Sequence, residues 1–373
     1  MVKGRGMAEA DPSTALIPRE RWITWMMGRH GDIMSALAEK ASAAVDPPEQ
    51  SLAWLVAQRE ARRYLRRLQV WMWFRAGGPL EPAMARQRAL LEARLADADA
   101  ALRSFDPATV AEARGGLGVR VAVVGKGGVG KTVIASTLAR LLARQDRNVI
   151  AADLDSNPGL AISLGLPRTD AGLPPEAVEM EEGAPLGWQL TRGLTALKAT
   201  MRFSTLGPDG VRYLGVGKIR HLDDESLRAS ITAITQRMLL EITDPAWDII
   251  GDLEAGLTQS FQGHHAFCDK VIVVVNPSWR SALTAHRLLP MFGDRDVVIV
   301  GNRFRGEPDH PGLDAQIRIP DDPEVADAER RGLSPLAACP DGTAMEAIRG
   351  LMGLLLAKEP PLAGERVVGP SAF

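Results

Sequence analysis

The chain has little cysteine. Its 373 residues include two, Cys268 and Cys339, far apart in sequence. That excludes a disulfide framework and a CxxC metal pair, and it fits a reducing compartment. A strong charge of either sign is also missing, the formal net charge being −2. Nucleic-acid binding through bulk charge is therefore not expected, although a local basic face is compatible with this total. The opening stretch from Met1 to Thr14 lacks the apolar core of a signal peptide. No uninterrupted apolar run approaches the roughly 18 residues needed to span a bilayer. These absences lead to the expectation of a cytoplasmic protein. What is present is an ordinary globular composition, 46% apolar and 24% charged. The length suits one large domain plus a smaller one.

The chain divides near residue 116. Residues 1–115 read as a small all-α region, and residues 116–373 as an α/β unit. The first part predicts three helices, near 19–43, 51–75 and 80–104. They are separated at Asp46-Pro47-Pro48 and at Gly77-Gly78-Pro79, where proline and glycine interrupt helices. In the second helix Trp54, Ala57, Ala61, Tyr64, Leu65, Leu68 and Trp71 recur at three- and four-residue steps and form one apolar stripe. Arg59, Arg62, Arg63, Arg66 and Arg67 cover the rest. Leu80, Met84, Leu91, Leu95 and Leu102 make a similar stripe in the third. The stretch from Ala111 to Gly118 reads as a linker.

Beyond it, strands alternate with helices. Short apolar runs at 119–124, 148–152, 213–216, 247–251, 270–275 and 297–300 predict strands. They are apolar throughout, as in a parallel sheet covered on both faces. The order strand, helix, strand implies a doubly wound, mostly parallel sheet. A helix is expected from about Thr132 to Arg144, and a last one, core-like, from Ala344 to Lys358.

Between the first strand and its helix stands Gly125-Lys126-Gly127-Gly128-Val129-Gly130-Lys131-Thr132, which fits the P-loop pattern GxxxxGKT. Each part has a physical task. The glycines let backbone N–H groups turn inward around phosphate oxygens, and the following helix adds the positive end of its dipole. Lys131 reaches the β- and γ-phosphates, and the Thr132 hydroxyl is a Mg²⁺ ligand. The implied ligands are ATP and Mg²⁺. Two acidic motifs follow strands at the edge where ligands collect in open α/β sheets. Asp153-Leu154-Asp155 follows the second strand, with Asp153 on the Mg²⁺ side. Trp247-Asp-Ile-Ile-Gly-Asp252 has the Walker B form, in which Asp252 holds the Mg²⁺ shell through water.

Lys126, directly after the first glycine, gives the loop a deviant form that resembles the MinD/ParA/NifH/ArsA family of dimerising ATPases. That resemblance implies a signature lysine crossing a homodimer interface to the partner's nucleotide. It implies that Asp155 positions or activates the attacking water. It also implies that the Gly256 N–H lies near the γ-phosphate and reports hydrolysis, an order–disorder device for driving partners. Asn302, after the strand at 297–300, would bond adenine, and Ile319-Pro320-Asp321-Asp322 would form a loop closing over the base. Asn after a strand is also a common turn residue.

Within that family, residues 119 to about 357 are most similar to the CooC branch, which serves the maturation of a nickel enzyme. Asp153-Leu-Asp-Ser-Asn-Pro-Gly-Leu160, Gly215-Val-Gly-Lys218, Asp252-Leu-Glu-Ala-Gly-Leu257 and Val273 to Ser281 carry the likeness. A CxC pair of that branch has no counterpart in Lys218-Ile-Arg-His-Leu-Asp-Asp-Glu225, so ATP-driven dimerisation carries over and nickel binding does not. His264, His265 and Cys268 offer metal-ligating side chains, but they read more simply as ordinary residues next to a switch. The expectation is an ATPase switch acting on an unknown client through residues 1–115 and its switch regions. The alternative is a positioning ATPase on nucleoid or membrane. A third possibility is a regulatory module worked by the helical region. For the arginine-rich helix, docking on the ATPase unit is the simplest role.

Overall fold

The computed structural model describes residues 18–74, 82–155, 158–167, 172–181, 188–215, 225–256, 264–292 and 295–357. The chain opens with four helices: α1 (Pro18–Ala43), α2 (Pro47–Phe74), α3 (Pro82–Ser104) and α4 (Pro107–Gly115). Pro47 and Pro48 open α2, where a missing N–H has no intrahelical partner to lose. The fourth helix corrects the linker reading of 111–118. Asp106 caps it, accepting from the N–H groups of Ala108 and Thr109, and Pro107 occupies its first turn. Ala113 packs with Leu55 and Leu102, so α4 belongs to the bundle.

Then follow β1 (Arg120–Gly125), α5 (Lys131–Ala143), β2 (Asn148–Asp153), α6 (Leu160–Leu164), β3 (Val178–Met180), β4 (Trp188–Leu190), α7 (Ala196–Phe203), β5 (Thr205–Leu206) and β6 (Arg212–Gly215). Next come α8 (Glu225–Glu241), β7 (Trp247–Asp252), β8 (Lys270–Val275), α9 (Trp279–Leu288) and β9 (Asp296–Phe304). The chain closes with β10 (Ile317–Pro320), α10 (Pro323–Arg330), α11 (Pro335–Ala338) and α12 (Thr343–Leu356). Eight strands form one sheet in the order β10-β9-β8-β1-β7-β2-β6-β5, and β3 pairs with β4 apart from it. Within the sheet every pairing is parallel except that of β5 with β6.

The unbroken apolar runs follow from burial on both faces. Along β1, Ala122 and Val124 enter one core with α7, α8 and α9. Val121 and Val123 enter the other, with α5 and α12. Successive side chains point to opposite faces, so a strand covered on both sides needs no polar alternation. The runs at 213–216 and 297–300 become Arg212–Gly215 and Asp296–Phe304, with Val216 outside the described residues. Ile319 and Pro320, expected in a loop, stand in edge strand β10 instead. Proline is tolerated at a strand's end on a sheet edge, and the pairing shifts register between these two residues.

The bundle is not a separate ball. Tyr64, Leu68, Met84 and Leu91 form its core, and that same cluster contains Leu240 from α8 and Ala266 from the segment before β8. Arg59 and Arg63 of α2 are buried against the sheet unit, while Arg62, Arg66 and Arg67 are half-buried. Arg63 is fully buried, bonding Asp269 at 3.2 and 3.0 Å and Glu60 at 2.9 Å. Arg63 holds the Asp269 carboxyl down to about 2 against the opposite effect of burial. At the crossing into β1, Gly118 lies so near Trp247 that a Cβ would stand 2.2 Å from its carbonyl oxygen.

Candidate functional site

The site lies at the carboxyl ends of the central strands. From Gly125, the last residue of β1, the loop runs to α5. Gly130 has φ 95°, and a Cβ there would meet Asn302 Nδ2 at 2.2 Å, so only glycine fits. Val129 is buried while Gly127 and Gly128 are exposed. Lys131 folds back under the loop and donates to the Lys126 carbonyl at 3.5 Å. Burial lowers the pKa of Lys131, while the charges of Asp252, Asp155 and Glu254 work the other way. Lys126 is half-buried, and its ammonium has no hydrogen-bond or ion-pair partner among the described residues.

Thr132 Oγ1 donates to Asp252 Oδ2 at 2.6 Å. The other oxygen, Oδ1, is buried and has no hydrogen-bond partner among the described residues. Asp153 stands directly beside Asp252 in the register of β2 and β7. Burial, together with the repulsion of Asp153, pushes Asp252 up to about 7, opposed by the Thr132 hydroxyl and Lys131. A threonine hydroxyl, two adjacent buried carboxylates and an orphaned carboxylate oxygen make a hard-oxygen site short of positive charge. These donors fit Mg²⁺.

Both oxygens of Asp153 accept backbone N–H groups. Oδ1 takes Asp155 N at 3.2 Å, and Oδ2 takes Gly159 N at 3.1 Å and Leu160 N at 2.9 Å. Burial raises Asp153 to about 6 despite these bonds. Expected on the metal side, this residue organises the chain after β2 and holds half-buried Asp155 within electrostatic reach of Lys131. The Gly256 N–H, expected near a γ-phosphate, donates to the Gly125 carbonyl at 3.2 Å.

A cleft of about 700 Å³ opens beside Gly130, lined by Asn302, Arg303, Pro320, Asp321 and Ile348 among others. Asn302 Nδ2 donates to the Val129 carbonyl at 2.7 Å and ties β9 to the loop. Sequence reasoning gave Arg303 no role. It has φ 59°, bonds the Gly128 carbonyl at 3.5 Å and pairs with Glu329 at 3.1 Å. Glu254 near Lys131 was missed as well. Glu254 lies inside the Asp252–Leu257 stretch, which was read for Asp252 and Gly256 alone, and Arg303 follows Asn302, where a left-handed non-glycine residue leaves no sequence signal.

A strand ending in a glycine loop, a buried loop lysine and a threonine–aspartate pair under it together mark a nucleotide site. A model of the CobQ/CobB/MinD/ParA nucleotide-binding domain matches residues 121–336. The chain belongs to this family. As a CobQ/CobB/MinD/ParA member it is a nucleotide-binding P-loop protein, and the lysine-bearing loop puts it with the MinD/ParA-type ATPases. The carbon monoxide dehydrogenase accessory protein CooC of Rhodospirillum rubrum is 25% identical over 66% of this chain and 99% of its own length. An uncharacterised ATP-binding protein of Methanocaldococcus jannaschii is 28% identical over 57% of this chain and 90% of its own. The Mg-ADP complex of the septum site-determining protein MinD from Pyrococcus horikoshii aligns with a TM-score of 0.47 at 19% identity, over 64% and 96% of the two chains.

The other metal-ligating candidates are engaged in packing. His265 sets its ring edge-on to Phe292, with centroids 5.2 Å apart, and the Cys268 thiol donates to the His265 carbonyl at 2.9 Å. The His264 side chain lies outside the described residues, as do Lys218 to Asp224. Among the described residues no group of three or more His, Cys, Asp or Glu gathers as a metal site, and no helix is long and apolar enough to cross a membrane.

Proposed function

We propose that this protein is a Mg²⁺-dependent ATP hydrolase that closes into a homodimer on ATP and acts as an accessory or maturation factor. Its client is a metalloenzyme or another complex. The observation that carries the reading is Lys126, half-buried at the mouth of the loop and without a partner among the described residues. A cation placed there is available to a nucleotide held by a second copy, where charge develops during phosphoryl transfer.

The roles divide as follows. Backbone N–H groups of Gly125, Gly127, Gly128, Val129 and Gly130, with Lys131, cradle the phosphates. Thr132 and Asp252 hold the cation, with Asp153 behind them. Mg²⁺ held there would neutralise charge on the phosphates during transfer. Asp155 orients the attacking water. Gly256, now bonded to the Gly125 carbonyl, exchanges that acceptor for the γ-phosphate when ATP binds. Asn302, Pro320 and Asp321 receive the base in the cleft beside Gly130. Residues 1–115 and the switch segments engage the client.

The positioning alternative needs a basic surface for lipid or nucleic acid. The α2 arginine nearest the core, Arg63, is consumed by Asp269 and Glu60, and α12 buries Met345, Ile348, Leu351 and Leu355 in the core. These features weigh toward the accessory reading. The test uses Asp155→Ala, which is expected to accumulate as an ATP-bound dimer in size-exclusion chromatography with light scattering. Affinity capture with that dimer should recover a metalloenzyme. Rapid turnover by the variant rejects the role of Asp155, and recovery of DNA or lipid instead supports positioning.

A further inference from the structure

A second cavity, of about 510 Å³, lies at the opposite edge of the sheet, beneath the amino ends of β1, β8 and β9 where α2 and α4 dock. Its polar lining is mostly cationic: Arg59, Arg62 and Arg66 from α2, Arg114 from α4, and Arg120 and Arg147 from the sheet unit. The two carboxylates there are already engaged, Asp269 with Arg63 and Asp296 with Lys270.

Arg59 and Arg120 decide what the cavity is for. Arg120 is 0% exposed and Arg59 8%. Arg59 spends Nη1 on the Gly118 carbonyl at 3.3 Å, and Arg120 spends Nη2 on the Asp244 carbonyl at 3.3 Å. The remaining nitrogens, Arg59 Nε and Nη2 and Arg120 Nε and Nη1, are buried without a hydrogen-bond acceptor among the described residues. Arg59 Nε has an ion pair with Glu60 Oε1 at 3.5 Å, an oxygen that also accepts from Arg63 Nη1. Burial and the neighbouring charges of Arg63 and Arg59 lower the pKa of Arg120, the cost of crowding three guanidinium groups. Buried charged donors without acceptors are expensive and rare. A guanidinium fork matches the spacing of phosphate and carboxylate oxygens. Leu55, Leu117 and Leu355 supply an apolar wall beside the charges, and the volume is that of a small-ligand pocket.

We propose that this cavity binds a small organic oxyanion, an apolar body carrying a phosphate or paired carboxylates, with Arg59 and Arg120 as its anchors. The site is separate from the nucleotide site, since β1 runs from Arg120 at one to Gly125 at the other.

The test is calorimetric titration of the full chain, with Mg-ADP already saturating the phosphate loop. Phenyl phosphate, glycerol 3-phosphate and succinate are the probes, with chloride as the control for screening. At least one probe is expected to bind saturably at one site. Arg59→Gln should weaken that binding at least tenfold and leave ADP affinity within twofold. Should Arg59→Gln fail to fold, half-buried Arg114→Gln takes its place, with an expected loss of at least threefold. A response to the phosphates alone assigns a phosphate ligand, and one to succinate alone a dicarboxylate. No saturable binding at millimolar concentration, or binding that these substitutions leave unchanged, overturns the proposal.

Discussion

At the level of single residues, two lysines five positions apart stand in different settings. Lys131 is buried, its ammonium beneath the loop and surrounded by the charges of Asp252, Asp155 and Glu254. Lys131→Ala is expected to lower nucleotide affinity at least a hundredfold in a fluorescent-nucleotide titration, since it removes the cation buried beneath the loop. Lys126 stands half-buried and unpaired among the described residues. Lys126→Ala should therefore leave nucleotide affinity within a few-fold while abolishing ATP-dependent dimerisation and phosphate release. Full activity in that variant would remove the chain from the signature-lysine class. These positions were legible because the P-loop is a local motif in which spacing alone fixes geometry. Asp252 was legible for the same reason, as a carboxylate closing an apolar strand. Asp153 was less so: that its oxygens serve three backbone N–H groups depends on how the chain turns after β2, which no spacing rule encodes. Arg303 was hidden because its role toward the loop rests on a positive φ and on a partner, Glu329, from another element.

Among elements, α2 is the informative case. Its apolar stripe was readable from three- and four-residue steps, and Ala57, Ala61, Tyr64 and Leu68 do enter the bundle core. The destination of its arginines was not readable, because amphipathicity says which face is polar and not whether solvent or a charged neighbour covers it. Removing Arg63 leaves Glu60 buried and Asp269 without its bidentate partner. Arg63→Ala is expected to destabilise the protein by about 3 kcal/mol in denaturant unfolding, the usual scale for breaking a buried pair. The pair also predicts a pH dependence. Asp269 has a folded pKa of about 2, below its value of roughly 3.9 in an unfolded chain. Its contribution is therefore present above about pH 4 and disappears as pH falls toward 2. Thermal unfolding followed from pH 5 to 2 should lose up to about 2 kcal/mol through this carboxyl, and Asp269→Asn should flatten that part of the curve. The helix α4 was missed because alanine, glycine and charge within Ala111–Gly118 resemble a spacer. The decisive signal lay earlier, in Asp106-Pro107, a cap followed by proline.

For the whole molecule, the α/β half was legible in outline. Six apolar runs became strands of one sheet, whereas β5 and β10 at its edges and the β3–β4 pair are too short to signal themselves. What the sequence divided at residue 116, packing joins. Leu240 and Ala266 complete the helical core, and Asp269 neutralises Arg63. Residues 116–373 alone should therefore expose an apolar patch and an unpaired carboxylate. The expected outcome is aggregation or loss of cooperative unfolding for that fragment, against a single calorimetric transition for the full chain. A fragment that unfolds cooperatively with the stability of the intact protein would show that the bundle is an independent attachment.

The shared core also sets a timetable. Synthesis at about 5–20 residues per second delivers the four helices well before Leu240, Ala266 and Asp269. For on the order of ten to thirty seconds the nascent bundle has an open apolar side and a guanidinium with no partner across the junction. The bundle, made before these partners, thus finishes folding only after them, and during that interval its open side is a surface for a chaperone to cover.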